Sequence, residues 1–286
     1  MLVPSFNVLN GGVDSSNKLA FQKNMIAPVG ACFFTGPIKM GSQVYQKLKK
    51  VIVEQFGLPA VGIGDEGGFA PPISQPHEAL DLLIQAVSLA GYDGKMQFAI
   101  DPTSSEFYRD RGYDVGFKDD KPNMQSPREM IHLYCLLLQN YPIFLFEDPL
   151  AESDWGSWTE FNTERPIELV GDDLLVKNTQ CVQEAYDRIA CNSMVLKIYQ
   201  IATIYEAIEA WVSPFVINRA GNLGANYSLG KLGLHGLGTG HLKYGNPSRD
   251  KEIVKYNRLV DIEADLMGKG EKCIYAGSKF KVASKY

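Results

Sequence analysis

The chain has 286 residues, 45% of them hydrophobic and 21% charged, with a formal net charge of −5. That apolar content excludes disorder as the overall state, and no apolar run approaches the roughly 20 residues of a membrane-spanning helix. The acidic balance argues against nucleic acid or an anionic membrane surface as the main partner.

The length admits two small domains or one α/β barrel of about 250 residues with modest additions. Met1 to Phe6 contains no basic segment leading into an apolar stretch, so no secretory leader is expected. In chain order, the first helix expected is Pro37 to Phe56, with Val44, Leu48, Val51 and Ile52 on its apolar face and Gly57 as its stop. Gln75-Pro76 opens a second, burying Leu80, Leu83, Ile84 and Val87 and ending near Gly91. Phe98-Ala99-Ile100 reads as a strand. Ser126-Pro127-Arg128-Glu129 is a capping box with Pro at the first helical position, and Leu133, Leu137 and Leu138 form the stripe behind it. Ile143 to Phe146, Ile167 to Val170 and Met194 to Leu196 are further strands. Thr203 to Glu206 is another capping box, with Ala207, Ile208 and Trp211 at helical spacing, and Phe215 to Ile217 closes the series. Runs without polar alternation suit parallel strands buried on both faces. Their alternation with helices predicts one domain with a mostly parallel sheet.

The cysteines (32, 135, 181, 191 and 273) are scattered and odd in number, without a Cys-x-x-Cys pair. Thiols in a reducing cytoplasm are the simplest expectation. The histidines (77, 132, 235 and 241) show no ligand spacing; His77 and His132 read as bland helix residues, and only His241, close to Lys243, has positional interest.

What rises above fold class is how the strands end. The run at 98–100 ends in Asp101, that at 143–146 in Glu147-Asp148-Pro149 and that at 167–170 in Gly171-Asp172-Asp173. Met194 to Leu196 ends in Lys197, and Phe215 to Ile217 in Asn218-Arg219. In a closed βα barrel the C-terminal strand ends converge on one face, where catalytic groups sit. Carboxylates gathered there repel unless neutralised, and a hard divalent cation such as Mg²⁺ is the natural neutraliser. Each residue also has a plainer reading. A single Asp after a strand is commonly the N-cap of the next helix, Asp172-Asp173 suits an Asx turn, and Glu147-Asp148-Pro149 suits an ordinary loop. The ordered series favours a site over its separate members. Gly62 to Phe69 lacks the Lys-Ser/Thr of a phosphate loop and reads as a turn, which over a barrel mouth would bring Glu66 above a metal.

Taken together, these segments resemble the enolase family. Val3 to Gly12 is similar to the start of the enolase barrel. Gly64-Asp65-Glu66-Gly67-Gly68-Phe69-Ala70-Pro71, Glu147-Asp148-Pro149, Gly171-Asp172-Asp173-Leu174, Leu196-Lys197, Thr239 to Lys243 and Lys255 to Arg258 follow in the family's order, in wording similar to fungal members. The likeness covers essentially the whole chain and is weaker from Trp211 to Leu237. It implies a TIM-like (β/α)8 barrel of the enolase type with a ββαα opening. The implied reaction is the Mg²⁺-dependent dehydration of 2-phosphoglycerate to phosphoenolpyruvate, a step of glycolysis. Carried over position by position, Asp101, Glu147 and Asp172 resemble the ligands of the first Mg²⁺. Lys197 resembles the base for the α-proton, Lys243 the lysine on the substrate carboxylate and Arg219 the arginine on the phosphate. Glu66 resembles the acid that assists departure of the hydroxyl.

The departures from the family are uneven. Where the family has Ser-His-(Ala/Ser)-Gly-Asn after two glycines, the run is Val13-Asp14-Ser15-Ser16-Asn17, which puts Asp14 at the active-site histidine. Gln-Glu-Phe-Met reads Gln22-Lys23-Asn24-Met25, so Lys23 replaces the glutamate that partners Glu66. Ser-His-Arg-Ser-Gly-Glu reads Ile217-Asn218-Arg219-Ala220-Gly221-Asn222. An Asp14–Lys23 ion pair is one structural replacement for these contacts. Losing one preorganised donor to developing charge typically costs about 10²–10³ in rate, so weakened or lost turnover is expected. Two alternatives stand beside it: an inactive enolase-like binding protein, and Mg²⁺-dependent proton abstraction from another carboxylate. Since the likeness begins at the first barrel strand, the family's N-terminal α+β domain is expected to be absent. With it would go the lid loop, part of the second Mg²⁺ site and much of the homodimer contact.

Overall fold

The computed structural model describes residues 1–64, 66–165, 167–176, 178–196, 225–227, 241–243, 245–248, 250–271 and 273–279. Strand β1 (Val3–Asn10) is buried along its whole length. It is followed by β2 (Lys23–Pro28), helix α1 (Thr35–Phe56), helix α2 (Pro76–Leu89) and β3 (Met96–Asp101). Strand β2 runs antiparallel to both β1 and β3, which is the ββαα opening expected from the resemblance. A small antiparallel sheet of β4 (Tyr108–Arg109), β5 (Gly112–Asp114) and β6 (Met124–Gln125) precedes α3 (Pro127–Asn140). Then come β7 (Ile143–Glu147), α4 (Trp155–Glu164), β8 (Glu168–Gly171), α5 (Thr179–Arg188), β9 (Ser193–Leu196), β10 (Ala225–Tyr227), β11 (His241–Lys243) and α6 (Asp250–Gly268).

The main sheet has the order β10-β9-β8-β7-β3-β2-β1-β11, with β3, β7, β8, β9 and β10 parallel to one another and β11 parallel to β1. Strand β10 comes up against β11, so the sheet curls round toward closure. The fold is thus α/β, a TIM barrel in architecture. The cause is visible in β1, β7 and β8, whose mostly apolar residues are buried on both faces.

The helices follow their sequence signals, with two corrections. In α1, Val44, Leu48, Val51 and Ile52 are buried, and Gly57 ends it at φ +83°. Helix α2 begins with a Gln75–Glu78 capping box and buries Leu80, Leu83 and Val87, and Gly91 follows at φ +74°. Ile84, expected in that core, is exposed, its place taken by Ala79, Leu82 and Ala86. Helix α3 has the Ser126–Glu129 box, but its buried face is Met130, Ile131, Tyr134, Cys135 and Leu137, with Leu133 and Leu138 only partly covered. Large residues off the leucine stripe claimed the core. The expected helix from Thr203 to Trp211 and strand from Phe215 to Ile217 lie outside the described residues. The five cysteines form no disulfide. Among the described residues no helix is long and apolar enough to cross a membrane.

Helix α1 has no capping side chain of its own, since Phe34 stands at its N-cap. Its open N–H groups are instead met by Glu263 of α6, which accepts from the Phe34 amide, from the Thr35 amide at 3.0 Å and from the Thr35 hydroxyl at 2.7 Å. A carboxylate at this end also suits the helix dipole. Glu263→Ala should therefore lower stability by about 1–3 kcal/mol, read as a shift of the urea midpoint without change of slope.

Candidate functional site

Antiparallel pairing decides which ends of the strands meet. Because β2 runs opposite to β3, its first residue, Lys23, stands in register with the last residue of β3, Asp101. Parallel pairing brings the end of β7, Glu147, beside Val170 of β8, after which come Asp172 and Asp173. Lys243 ends β11, in register with Ser5 of β1. The termini gather Lys23, Asp101, Glu147, Asp172 and Lys243 at one mouth.

Asp101 and Glu147 are 2% and 1% exposed as side chains, and they share Lys243. Its Nζ lies 3.2 Å from Asp101 Oδ2, 2.8 Å from Glu147 Oε1 and 2.7 Å from Glu147 Oε2. Lys23 Nζ lies 2.9 Å from the same Asp101 oxygen, donates to Gln22 Oε1 and is 3.8 Å from Glu66 Oε1. The other oxygen of Asp101 accepts from the Thr103 amide at 3.1 Å and the Thr103 hydroxyl at 2.8 Å. Asp101 thus closes a local turn onto Thr103 with one oxygen and meets two ammonium groups with the other.

Burial alone would raise the Asp101 carboxyl and lower both ammonium groups. The opposed charges outweigh it: Lys23 and Lys243 hold Asp101 well below the usual carboxylate range. Asp101 raises Lys23, while Glu147 and Asp101 raise Lys243. Glu147 goes the other way, pushed up to about 7 by burial and by the Asp101 charge against the pull of Lys243.

A residue that sequence reasoning treated as loop organises the rest. Asp148 takes a positive φ of 41°, turning its buried carboxylate across to the next strand. Its two oxygens accept from the Asp172 and Asp173 amides, each at 3.0 Å. Below it, the Pro149 carbonyl accepts from Tyr134 Oη at 2.7 Å and Ser104 Oγ at 2.8 Å, so helix α3 and the loop after β3 pin the turn. Burial and the charges of Asp173 and Asp172 push the Asp148 carboxyl upward. The signal for it was a second acid directly after Glu147 at a strand end.

Glu147, Asp148 and Asp172 each bring a carboxylate oxygen to within 4.8 Å of the others. All three are buried. Hard oxygen donors without thiol or imidazole suit a divalent cation of the Mg²⁺ kind. Glu147 and Asp172, two of the expected ligands, belong to this group. Asp101 stands next to it, through Lys243, with its oxygens turned to the lysines and Thr103. The donor set therefore fits a divalent ion on the Glu147–Asp172 side.

The loop carrying Glu66 is tied to the same mouth. Phe69 bridges Leu9, the Phe69 amide donates to the Val8 carbonyl at 2.9 Å, and Asn7 Nδ2 donates to Glu66 Oε2 at 3.3 Å. At Gly68 a Cβ would fall 2.0 Å from Asn10 Oδ1, so only glycine permits this approach. Glu66 is thereby placed beside Lys23 at the rim. Asp14 is exposed in its loop, and the suggested Asp14–Lys23 pair gives way to Lys23 pairing with Asp101 and Glu66. His77 and His132 are exposed, as their bland reading implies, and His241 is fully buried in β11 beside Glu168, at 3.6 Å. Lys197, Asn218 and Arg219 lie outside the described residues.

Over residues 1–284 the chain matches the family model described as the enolase C-terminal TIM barrel domain.

Proposed function

For a chain that belongs to the enolase family through this C-terminal barrel domain, we propose a lyase by descent. Its reaction is the Mg²⁺-dependent loss of water from 2-phosphoglycerate, at a rate well below that of a complete site. We also read the chain as cytoplasmic and fungal-like, from its thiols and its motif wording. The observation that carries the reading is the set of buried carboxylates, Asp101, Glu147 and Asp172, at the ends of successive strands, the first two closing on Lys243.

Glu147 and Asp172 would hold Mg²⁺, with Asp101 beside them. When bound, the ion supplies positive charge that offsets the dianion formed as a proton leaves the carbon next to a carboxylate. Lys197 takes that α-proton at its Nζ. Lys243 orients the substrate carboxylate and Arg219 the phosphate. Glu66 gives a proton to the departing hydroxyl, which leaves as water, and the product is phosphoenolpyruvate. The rate is lowered because an ammonium, Lys23, stands 3.8 Å from Glu66 where the family has a carboxylate. Asp14 compounds this, bringing negative charge to a phosphate-side position.

Lys23 on Asp101 also favours a second reading, an enolase-like protein that binds without turning over. One assay separates the two: phosphoenolpyruvate formation from 2-phosphoglycerate, followed by absorbance with and without Mg²⁺. Slow turnover that requires Mg²⁺ and vanishes in Lys197→Ala is the expected result. Absence of turnover at every Mg²⁺ concentration sinks the lyase reading and leaves the binding protein. Silence accompanied by α-proton exchange on another carboxylic acid in deuterated buffer points to a changed substrate.

A further inference from the structure

An ionised carboxylate offers about four lone-pair positions. At Asp101 the protein fills them: Thr103 N–H and hydroxyl on Oδ1, and Lys23 and Lys243 on Oδ2. A divalent ion needs one of those oxygens stripped of a donor before Asp101 can bind it. The Thr103 contacts are local turn bonds, and Lys243 is held on both oxygens of Glu147.

Lys23 is the remaining donor, and its position is built. Its side chain is 13% exposed, and its head group donates to Gln22 Oε1. Gln22 is in turn anchored through its amide Nε2, 3.1 Å from Glu106 Oε1. The ammonium is thus aimed at Asp101 by a short polar chain, and the antiparallel register of β2 and β3 fixes its stem.

We propose that Lys23 is an internal cation that guards Asp101, so that a divalent ion binds this site fully only by displacing the Lys23 ammonium from Oδ2. The inference rests on the reading of the strand-end carboxylates as the metal site. Two positive species compete for one buried oxygen, and their repulsion at contact distance is little screened away from water. Metal affinity in this chain is therefore set by residue 23 as much as by the ligands.

The test is isothermal titration of Mg²⁺ into the full chain and its variants. Lys23→Met keeps the stem and removes the charge, and should bind Mg²⁺ about tenfold or more tightly than the parent. Lys23→Arg keeps the charge and should bind as the parent does. Adding Asp101→Asn to Lys23→Met should return the affinity to the parental value. Equal affinities for the parent and Lys23→Met, both abolished by Asp172→Asn, overturn the guarding role and leave the metal site standing. A gain that survives Asp101→Asn also overturns it, because the effect would then not run through Asp101. If neither protein binds Mg²⁺, the metal-site reading fails and the guard falls with it. Should Lys23→Met be unfolded alone, refolding as Mg²⁺ is added, followed by circular dichroism, supports the proposal; no refolding refutes it.

Discussion

Lys243→Met should cost about 3–5 kcal/mol of folding stability, the range for removing one partner of a buried ion pair. Met retains the length and apolar stem of Lys, so little of that loss comes from packing. What is lost is the ammonium 2.7 and 2.8 Å from the two Glu147 oxygens and 3.2 Å from Asp101 Oδ2. Asp101 keeps Lys23, and Glu147, 1% exposed, loses the ammonium that meets both of its oxygens while the charge of Asp101 stays close by. Urea unfolding near pH 7 is the measurement. A loss below about 1 kcal/mol would mean that Lys243 carries little of the compensation assigned to it. Repeating the titration with Mg²⁺ adds a second reading. If the carboxylates take the ion, the variant should recover stability as ligand is added, by about 2.7 kcal/mol when the ion stands at a hundred times its dissociation constant.

Much of this architecture was legible because local signals and the fold agreed. The capping box at Ser126 and the helix start at Gln75-Pro76 are found in the structure, and Gly57 and Gly91 stop their helices with positive φ. Parallel strands buried on both faces announce themselves as unbroken apolar runs. The strands β4, β5 and β6, of two or three residues each, are too short to carry a period, and none was anticipated. Ile84 was misplaced because a face more than one residue wide lets Ala79, Leu82 and Ala86 fill the contact instead.

The site was legible as a series of residues and illegible as a set of partnerships. That strand ends are acidic can be read from order alone; which oxygen meets which donor depends on register. Lys23 reaches Asp101 because β2 is antiparallel, and its contact crosses from residue 23 to residue 101. The Asp14 partner, suggested as a replacement for the lost family contacts, gives way to that long-range pairing. Glu263 capping α1 is the same lesson at greater separation, since no local pattern links α6 to the first helix. Asp148 reads from the sequence as loop because Asp-Pro at a strand end is an ordinary loop signal, and only a left-handed backbone reveals its use.

That backbone makes Asp148 the most informative position for mutation. Asp148→Ala removes the acceptors of the Asp172 and Asp173 amides, each bonded at 3.0 Å, and an orphaned buried N–H costs about 1–3 kcal/mol. Alanine also tolerates the φ of +41° less well than aspartate, which adds about 1 kcal/mol. The expected total is about 3–7 kcal/mol, measured by urea denaturation. Asp148→Gly loses the same two bonds but relieves the backbone, and should be about 1 kcal/mol better than alanine. Asp148→Asn keeps one acceptor and a residue at ease in the left-handed region. It also removes the charge that Asp172 and Asp173 oppose, so it should lie nearest the parent. The predicted order of midpoints is parent, Asn, Gly, Ala. Glycine no better than alanine would show that the positive φ stores no strain, and an Asn variant as weak as alanine would show that both oxygens are needed. Because the same two bonds hold the turn that carries Asp172, the order of Mg²⁺ affinity among these variants should follow the order of stability. An Asn variant that folds like the parent yet binds Mg²⁺ more weakly would identify Asp148 as a ligand in its own right, alongside its part in holding the turn.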